Sequence, residues 1–215
     1  MAIDQLLLVP GHAIFSDEVK ARGPVDIRDE RRWELLDYQR GEVHCFLQHI
    51  EWGITELRAR RNAVLTFAGG VSRTKSHWSE AETYKICAQS ICKERGWDFT
   101  QLEPRIGLET RSTDSLQNVL LSILGFKDLT GILPKMVTVG GWGFKKDRFM
   151  EIAKIINWPL SKFSYVGINC PSDLARAETL EKESLARLKL TPTGVEPLLM
   201  EGRIWSGPLN VNLAF

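Results

Sequence analysis

Apolar runs alternate with amphipathic stretches along the chain. Gln5–Val9 (QLLLV) is a short unbroken apolar run closed by Pro10-Gly11, the pattern of a strand buried on both faces. Residues 31–60 read as one helix, because Val43, Phe46, Leu47, Ile50, Ile54 and Leu57 recur at helical spacing with charges between them. Ala63–Ala68 (AVLTFA) is a second buried run, ended by Gly69-Gly70. A polar loop over 71–78 leads to Ser79, whose hydroxyl suits an N-cap, with Glu80 and Glu82 in the first turn, where carboxylates oppose the positive helix end. That helix runs to Arg95 and stops at Gly96. Residues 105–108 form a third, brief strand and 109–113 a polar loop. Leu116, Val119, Leu120, Ile123 and Leu124 then share one helical face, capped by Thr113 or Asp114. Pro134 introduces a strand over 135–139 that Gly140-Gly141-Trp142-Gly143 closes. A helix over 144–156 carries Phe149, Ile152, Ala153 and Ile156 on one stripe, and 163–167 make a fifth strand. Residues 172–189 are charged and helix-prone, and prolines and glycines from Pro192 to Pro208 break up the rest.

Strands separated by helices predict a Rossmann-like, three-layer α/β/α unit over residues 1–170, with a mostly parallel sheet of about five strands. Residues 171–215 are expected as a C-terminal extension, a helix and an irregular tail packing on that unit. At 215 residues, 43% of them hydrophobic, the chain is long enough for one domain with such an appendage. Lys and Arg number 28 against 27 Asp and Glu, and a net charge of +1 argues against a nucleic acid polymer as partner. No run reaches the ~20 apolar residues that span a bilayer, and the first residues lack the basic stretch of a signal peptide. A cytoplasmic protein without membrane contact is the expectation. The cysteines, at 45, 87, 92 and 170, form no CxxC, which removes redox and zinc-ribbon motifs.

In open α/β sheets ligands bind beyond the carboxyl ends of the strands. Four polar or glycine-rich segments follow strands here and would share one rim. The first is Pro10-Gly11-His12, with His12 a candidate acid/base. The second runs from Gly69-Gly70 to Ser79-Glu80. Its glycines let backbone approach a ligand, the helix start could hold an anion, and Arg73, Lys75 and His77 add positive charge. The third is Glu109 to Asn118, with Ser112 and Thr113 able to donate to or accept from a ligand. The fourth is Gly140–Arg148, where Lys145 and Arg148 sit at a helix start that disfavours cations unless an anion is bound. Dinucleotide, P-loop, hydrolase-elbow and zincin motifs are all missing. The histidines do not pair at metal-ligand spacing, and no metal ligand set is assigned.

Gly69-Gly70, Ser79-Glu80-Ala81, Glu109, Ser112, Thr113, Asn118 and Arg148 recur in an order and spacing that resemble the domain-of-unknown-function 218 family. That family includes bacterial SanA, ElyC and YdcF-like proteins and fungal cytosolic members. The resemblance spans about residues 5–168. It implies a Rossmann-like fold with a polar pocket at the strand ends, nucleotide-like binding and no defined cofactor. Where the bacterial pattern has Thr-Ser and then Tyr-His, this chain has Val139-Gly-Gly-Trp-Gly-Phe144.

The expected function is therefore binding of a small anionic, phosphate- or nucleotide-containing ligand, with hydrolysis or group transfer as the chemistry. Gly11, His12, Gly69, Gly70, Ser79, Ser112, Thr113, Asn118, Gly140 and Arg148 would bind it, and Glu80 or Glu109 would be the general base. A rival is a non-catalytic interaction or homo-oligomerisation module. It would use the seven tryptophans and an arm over 204–215. S-adenosylmethionine binding ranks lower, because Ala68-Gly69-Gly70 lacks the acidic residue that would hold a ribose.

Overall fold

β1 (Gln5–Pro10) carries apolar side chains on both faces, so it can be buried only between two other strands and two helical layers. The computed structural model describes residues 2–15, 26–72 and 77–190. In it β1 pairs in parallel with β4 (Ala63–Ala68) on one side and β6 (Met136–Trp142) on the other. β5 (Ile106–Glu109) extends the β4 edge and β7 (Phe163–Asn169) the β6 edge, giving the parallel order β5-β4-β1-β6-β7. The chain leaves β1 outward through β4 to β5, then returns to the other side of β1 with β6. The reversal opens a crevice between β1 and β6, which is where ligands bind in sheets of this kind.

Alternation within the strands divides the core. Leu7, Val9, Leu65 and Phe67 face α1 (Val43–Ala59) and α2 (Glu80–Arg95). Leu6, Leu8, Val64, Val137 and Val139 face α4 (Ser115–Thr130) and α5 (Lys146–Ile155). The short α3 (Phe99–Leu102) follows α2. α2 opens on a capping box in which the Ser79 hydroxyl accepts from the Glu82 N–H at 3.1 Å, and it stops at left-handed Gly96. Asp114 caps α4 by accepting from the Gln117 N–H at 2.8 Å. The C-terminal helix, α6 (Leu174–Leu190), lies against α5 and the turn before it. Among the described residues no helix is long and apolar enough to cross a membrane.

Two sequence expectations are corrected. The helix expected over 31–60 begins only at Val43. Residues before it make two short 3-10 turns and β3 (Trp33–Glu34), which pairs antiparallel with β2 (Ile14–Phe15). Gly41, at φ 80°, breaks any helical continuation. Trp33 turns inward, donates its indole N–H to the Ile27 carbonyl at 2.9 Å and packs on Phe15, Phe46 and Tyr84. The second correction concerns 140–142, expected as a closing loop, which are strand. Trp142 ends β6 buried, and its carbonyl accepts from the Tyr165 hydroxyl at 2.7 Å.

Five of the described tryptophans serve packing. Trp33, Trp142 and Trp158 are buried, and Trp52 and Trp97 pack on the core. The arm over 204–215 lies outside the described residues. Gly140 is a packing position too, because a Cβ there would overlap the Trp52 ring of α1. Gly140→Ala is expected to lower stability by about 1–3 kcal/mol, as overpacking does. Urea unfolding measures this, and an unchanged midpoint would show that Trp52 swings aside without cost.

Candidate functional site

The loops after β1, β4, β5 and β6 and the inner side of α6 enclose a cavity of about 680 Å³. Gly11, His12, Gly69, Gly70, Glu80, Ser112, Thr113, Asn118 and Arg148 all border it, as do Lys145 and Glu181. Ser79, Glu109 and Gly140 do not. Arg73 and Lys75 lie outside the described residues, and His77 is exposed.

The first wall is built around Glu80. Gly69 adopts φ 152°, and a Cβ on either Gly69 or Gly11 would run into the Glu80 side chain. Two glycines thus close onto one carboxylate, which is 9% exposed and accepts from the Ser72 hydroxyl at 2.5 Å. The anticipated use of backbone N–H groups is corrected here. Glu80 and Ala81 donate to the Gly70 and Gly69 carbonyls, both at 3.1 Å, and Thr83 to the Ser79 carbonyl at 3.2 Å. Gly69 N–H is taken by the Glu109 carbonyl at 2.9 Å and Gly70 N–H by the Ser112 carbonyl at 2.8 Å. With Glu82 held by the Ser79 cap, the helix start has spent its donors on the protein and offers none to an anion.

Glu109 shapes the second wall from behind. Its carboxylate is 5% exposed and accepts from the Arg111 N–H at 2.8 Å and the Ser112 N–H at 3.0 Å. It borders a smaller hollow at the β5 edge, so it folds the 110–112 loop instead of reaching into the main cavity. The Ser112 hydroxyl donates to Asn118 Oδ1 at 2.5 Å, and Thr113 donates N–H and hydroxyl to Gln117 Oε1 at 2.9 and 3.1 Å. These bonds fix the side chains that the sequence marked as ligand contacts.

The third wall carries Lys145 and Arg148. Lys145 ends the 3-10 turn Gly143–Lys145 and has no hydrogen bond or ion pair among the described residues. Burial, and then the neighbouring Arg148 guanidinium, pull its pKa down to about 8. Arg148 is already engaged. Its Nε donates to Glu181 Oε1 at 2.7 Å, a second nitrogen donates to Glu181 Oε2, and a third reaches the Ser115 hydroxyl at 3.3 Å. Glu181 is 6% exposed. Sequence reasoning assigned it nothing, since it stands in a charged helix with no pattern to distinguish it.

Behind the cavity lies an aromatic wedge that the sequence also did not show. Trp142, His12 and His49 pack as a triangle, with ring centres 6.0 Å (Trp142 to His12), 5.1 Å (Trp142 to His49) and 5.4 Å (His12 to His49) apart. Asn169 Nδ2 donates to the Cys45 carbonyl and to Gln48 Oε1, so its Oδ1, 2.7 Å from His49 Nε2, is the acceptor. His49 therefore carries its proton on Nε2, and its buried Nδ1 has no partner. Burial lowers the His49 pKa to about 4 and holds His12 well below the ordinary histidine range. Both rings are neutral at pH 7. Among the described residues no three His, Cys, Asp or Glu side chains gather to hold a metal.

Removing one partner of the Arg148–Glu181 pair leaves a buried charge. Arg148→Ala and Glu181→Ala should each cost about 3 kcal/mol, with the double variant costing less than the sum. A double-mutant cycle in urea measures the coupling, and additive effects would mean the pair is not coupled. His49 supplies a pH dependence. Its folded pKa is depressed below the unfolded value of about 6.5, so the unfolded chain binds more protons between the two values. The stability it contributes is full above pH ~6.5 and is lost as pH falls towards 4. At pH 4.5 the wild type should have lost about 2–3 kcal/mol more than His49→Gln, relative to pH 7.5. Equal losses would contradict a buried neutral His49.

No family model matches the chain, and no solved structure matches it. A stretch of 65 residues is 37% identical to an uncharacterized protein of Saccharomyces cerevisiae. The matched stretch covers 30% of this chain and 22% of the yeast protein, so it spans less than a quarter of that relative.

Proposed function

We propose that the protein binds a small phosphate-bearing ligand of about nucleotide size in the rim cavity, and acts on it by hydrolysis or group transfer with Glu80 as general base. One observation carries this: Lys145 places a desolvated ammonium in the cavity with no hydrogen bond or ion pair among the described residues, Glu181 and Glu80 acting on it only from beyond ion-pair distance. A desolvated cation is costly unless something of opposite charge meets it, and an anionic ligand does so. The cavity, at about 680 Å³, falls within the usual size of small-molecule sites and exceeds what a bare phosphate needs. Glu80, clamped by Gly11 and Gly69, is a carboxylate held in one place at the same rim. Membership of the domain-of-unknown-function 218 family is part of the proposal. Of the residues that carry that resemblance, Gly69, Gly70, Glu80, Ser112, Thr113, Asn118 and Arg148 border the cavity. So is a cytoplasmic setting, where nucleotides and phosphosugars are made.

The test is a calorimetric panel of nucleotides and phosphosugars. At least one member should bind the wild type, and Lys145→Ala should weaken it tenfold or more, since a hydrogen bond to a charged group contributes about 1.5–3 kcal/mol. Lysine loses its charge as pH rises, so wild-type affinity should fall as pH is raised through about 8, and Lys145→Ala should show a flatter profile. Glu80, Glu181, Arg148 and His12 face the same space. Binding by no member, or equal binding by wild type and Lys145→Ala, would overturn the proposal.

A further inference from the structure

α6 is held to the domain in an uncommon way. An amphipathic helix normally docks through an apolar stripe. In α6 only Glu181 is buried. Leu180 is 45% exposed and Leu190 82%, and Leu188 alone packs partly against the core. The start of the helix is tied by Ser172, whose N–H and hydroxyl donate to Glu42 Oε1 at 2.8 and 2.6 Å. Segments with few apolar contacts are the first to open. What holds the middle of α6 is the two-pronged contact of the Glu181 carboxylate with the Arg148 guanidinium. This is the geometry by which arginine also receives a phosphate.

The charges say why that contact bears on ligand binding. Of the charged residues lining the cavity, Arg148, Glu181 and Glu80 are those that act on Lys145, so two cations stand against two carboxylates in that part of it. A phosphate monoester, close to a dianion at pH 7, would meet charges already balanced around Lys145 and find the arginine taken. With Glu181 withdrawn, Lys145, Arg148 and the Ser115 hydroxyl face the phosphate, and of the two carboxylates acting on Lys145 only Glu80 is left.

We propose that Glu181 occupies the seat of a ligand's phosphoryl group on Arg148, and that binding exchanges the one for the other, releasing α6 as a ligand-displaced gate over the rim. The gate rests on the anion-binding function proposed above and adds its regulation. Opening is a rotation about the Ser172–Glu42 tie, and it exposes little apolar surface because α6 buries little. The helix therefore reports occupancy of the cavity to whatever meets its outer face.

The experiment titrates the full chain with inorganic phosphate at pH 7 by calorimetry and follows amide hydrogen exchange over 174–190. Glu181→Gln should bind phosphate at least tenfold more tightly than wild type, and Arg148→Ala at least tenfold more weakly. Phosphate should accelerate exchange in α6 of the wild type, whereas in Glu181→Gln exchange should already be fast without it. Should Glu181→Gln not fold, Glu181→Asp, too short to keep both contacts, should show intermediate tightening. Equal or weaker binding by the Glu181 variant, with Arg148→Ala still impaired, would overturn the gate and leave the anion site standing. Absence of phosphate binding in every variant would overturn both.

Discussion

The burial of β1 on both faces is the constraint from which the other features follow. Leu6, Leu7, Leu8 and Val9 are all fully buried, two towards each helical layer. A strand of that kind must have a strand on each side, so the chain can build outward in one direction only until β5 and must then cross over to β6. The crossover leaves Gly11 and His12, at the end of β1, beside the end of β6. The crevice lies there because the first strand of the sequence is also the middle strand of the sheet.

What the rim offers to a ligand is decided by hydrogen-bond satisfaction. Anion sites in such folds commonly use the backbone donors of a glycine loop and helix start. Here those donors are satisfied within the protein: the diglycine loop leans on Glu109 and Ser112, and the start of α2 leans back on Gly69, Gly70 and Ser79. The Gly69 and Gly70 N–H groups are both taken in consequence, and the space at Gly69 admits the Glu80 side chain instead of a ligand's phosphate. In the proposed function, recognition of charge therefore falls to the opposite wall, to Lys145 and Arg148, where α6 already supplies a carboxylate.

Much of the fold was legible because it rests on local pattern. The five sheet strands, the Ser79 cap, a cap at Thr113 or Asp114, the Gly96 stop and the α4 stripe follow from periodicity and capping chemistry, which act over a few residues. The segment 31–42 was misread because Trp33 and Leu35 look like an extension of the α1 stripe, while their actual partners, Phe15 and the α1–α2 layer, are distant in sequence. In the site, the residue types near strand ends were legible, but their duties were not. Ser79 and Glu109 are polar for the sake of the backbone, and Gly140 is small for the sake of Trp52. Glu181 lies 33 residues from Arg148 and His49 120 from Asn169, and no short-range signal announces either pairing.

The central claim is that a phosphoryl group binds between Lys145 and Arg148. Crystals soaked in tungstate, a heavy tetrahedral anion, would test it by anomalous diffraction. An anomalous peak is expected within contact distance of Lys145 Nζ and the Arg148 guanidinium, with Glu181 moved off the arginine. A peak only at the α2 helix start or on the outer surface, or an intact Arg148–Glu181 pair with no peak in the cavity, would contradict it.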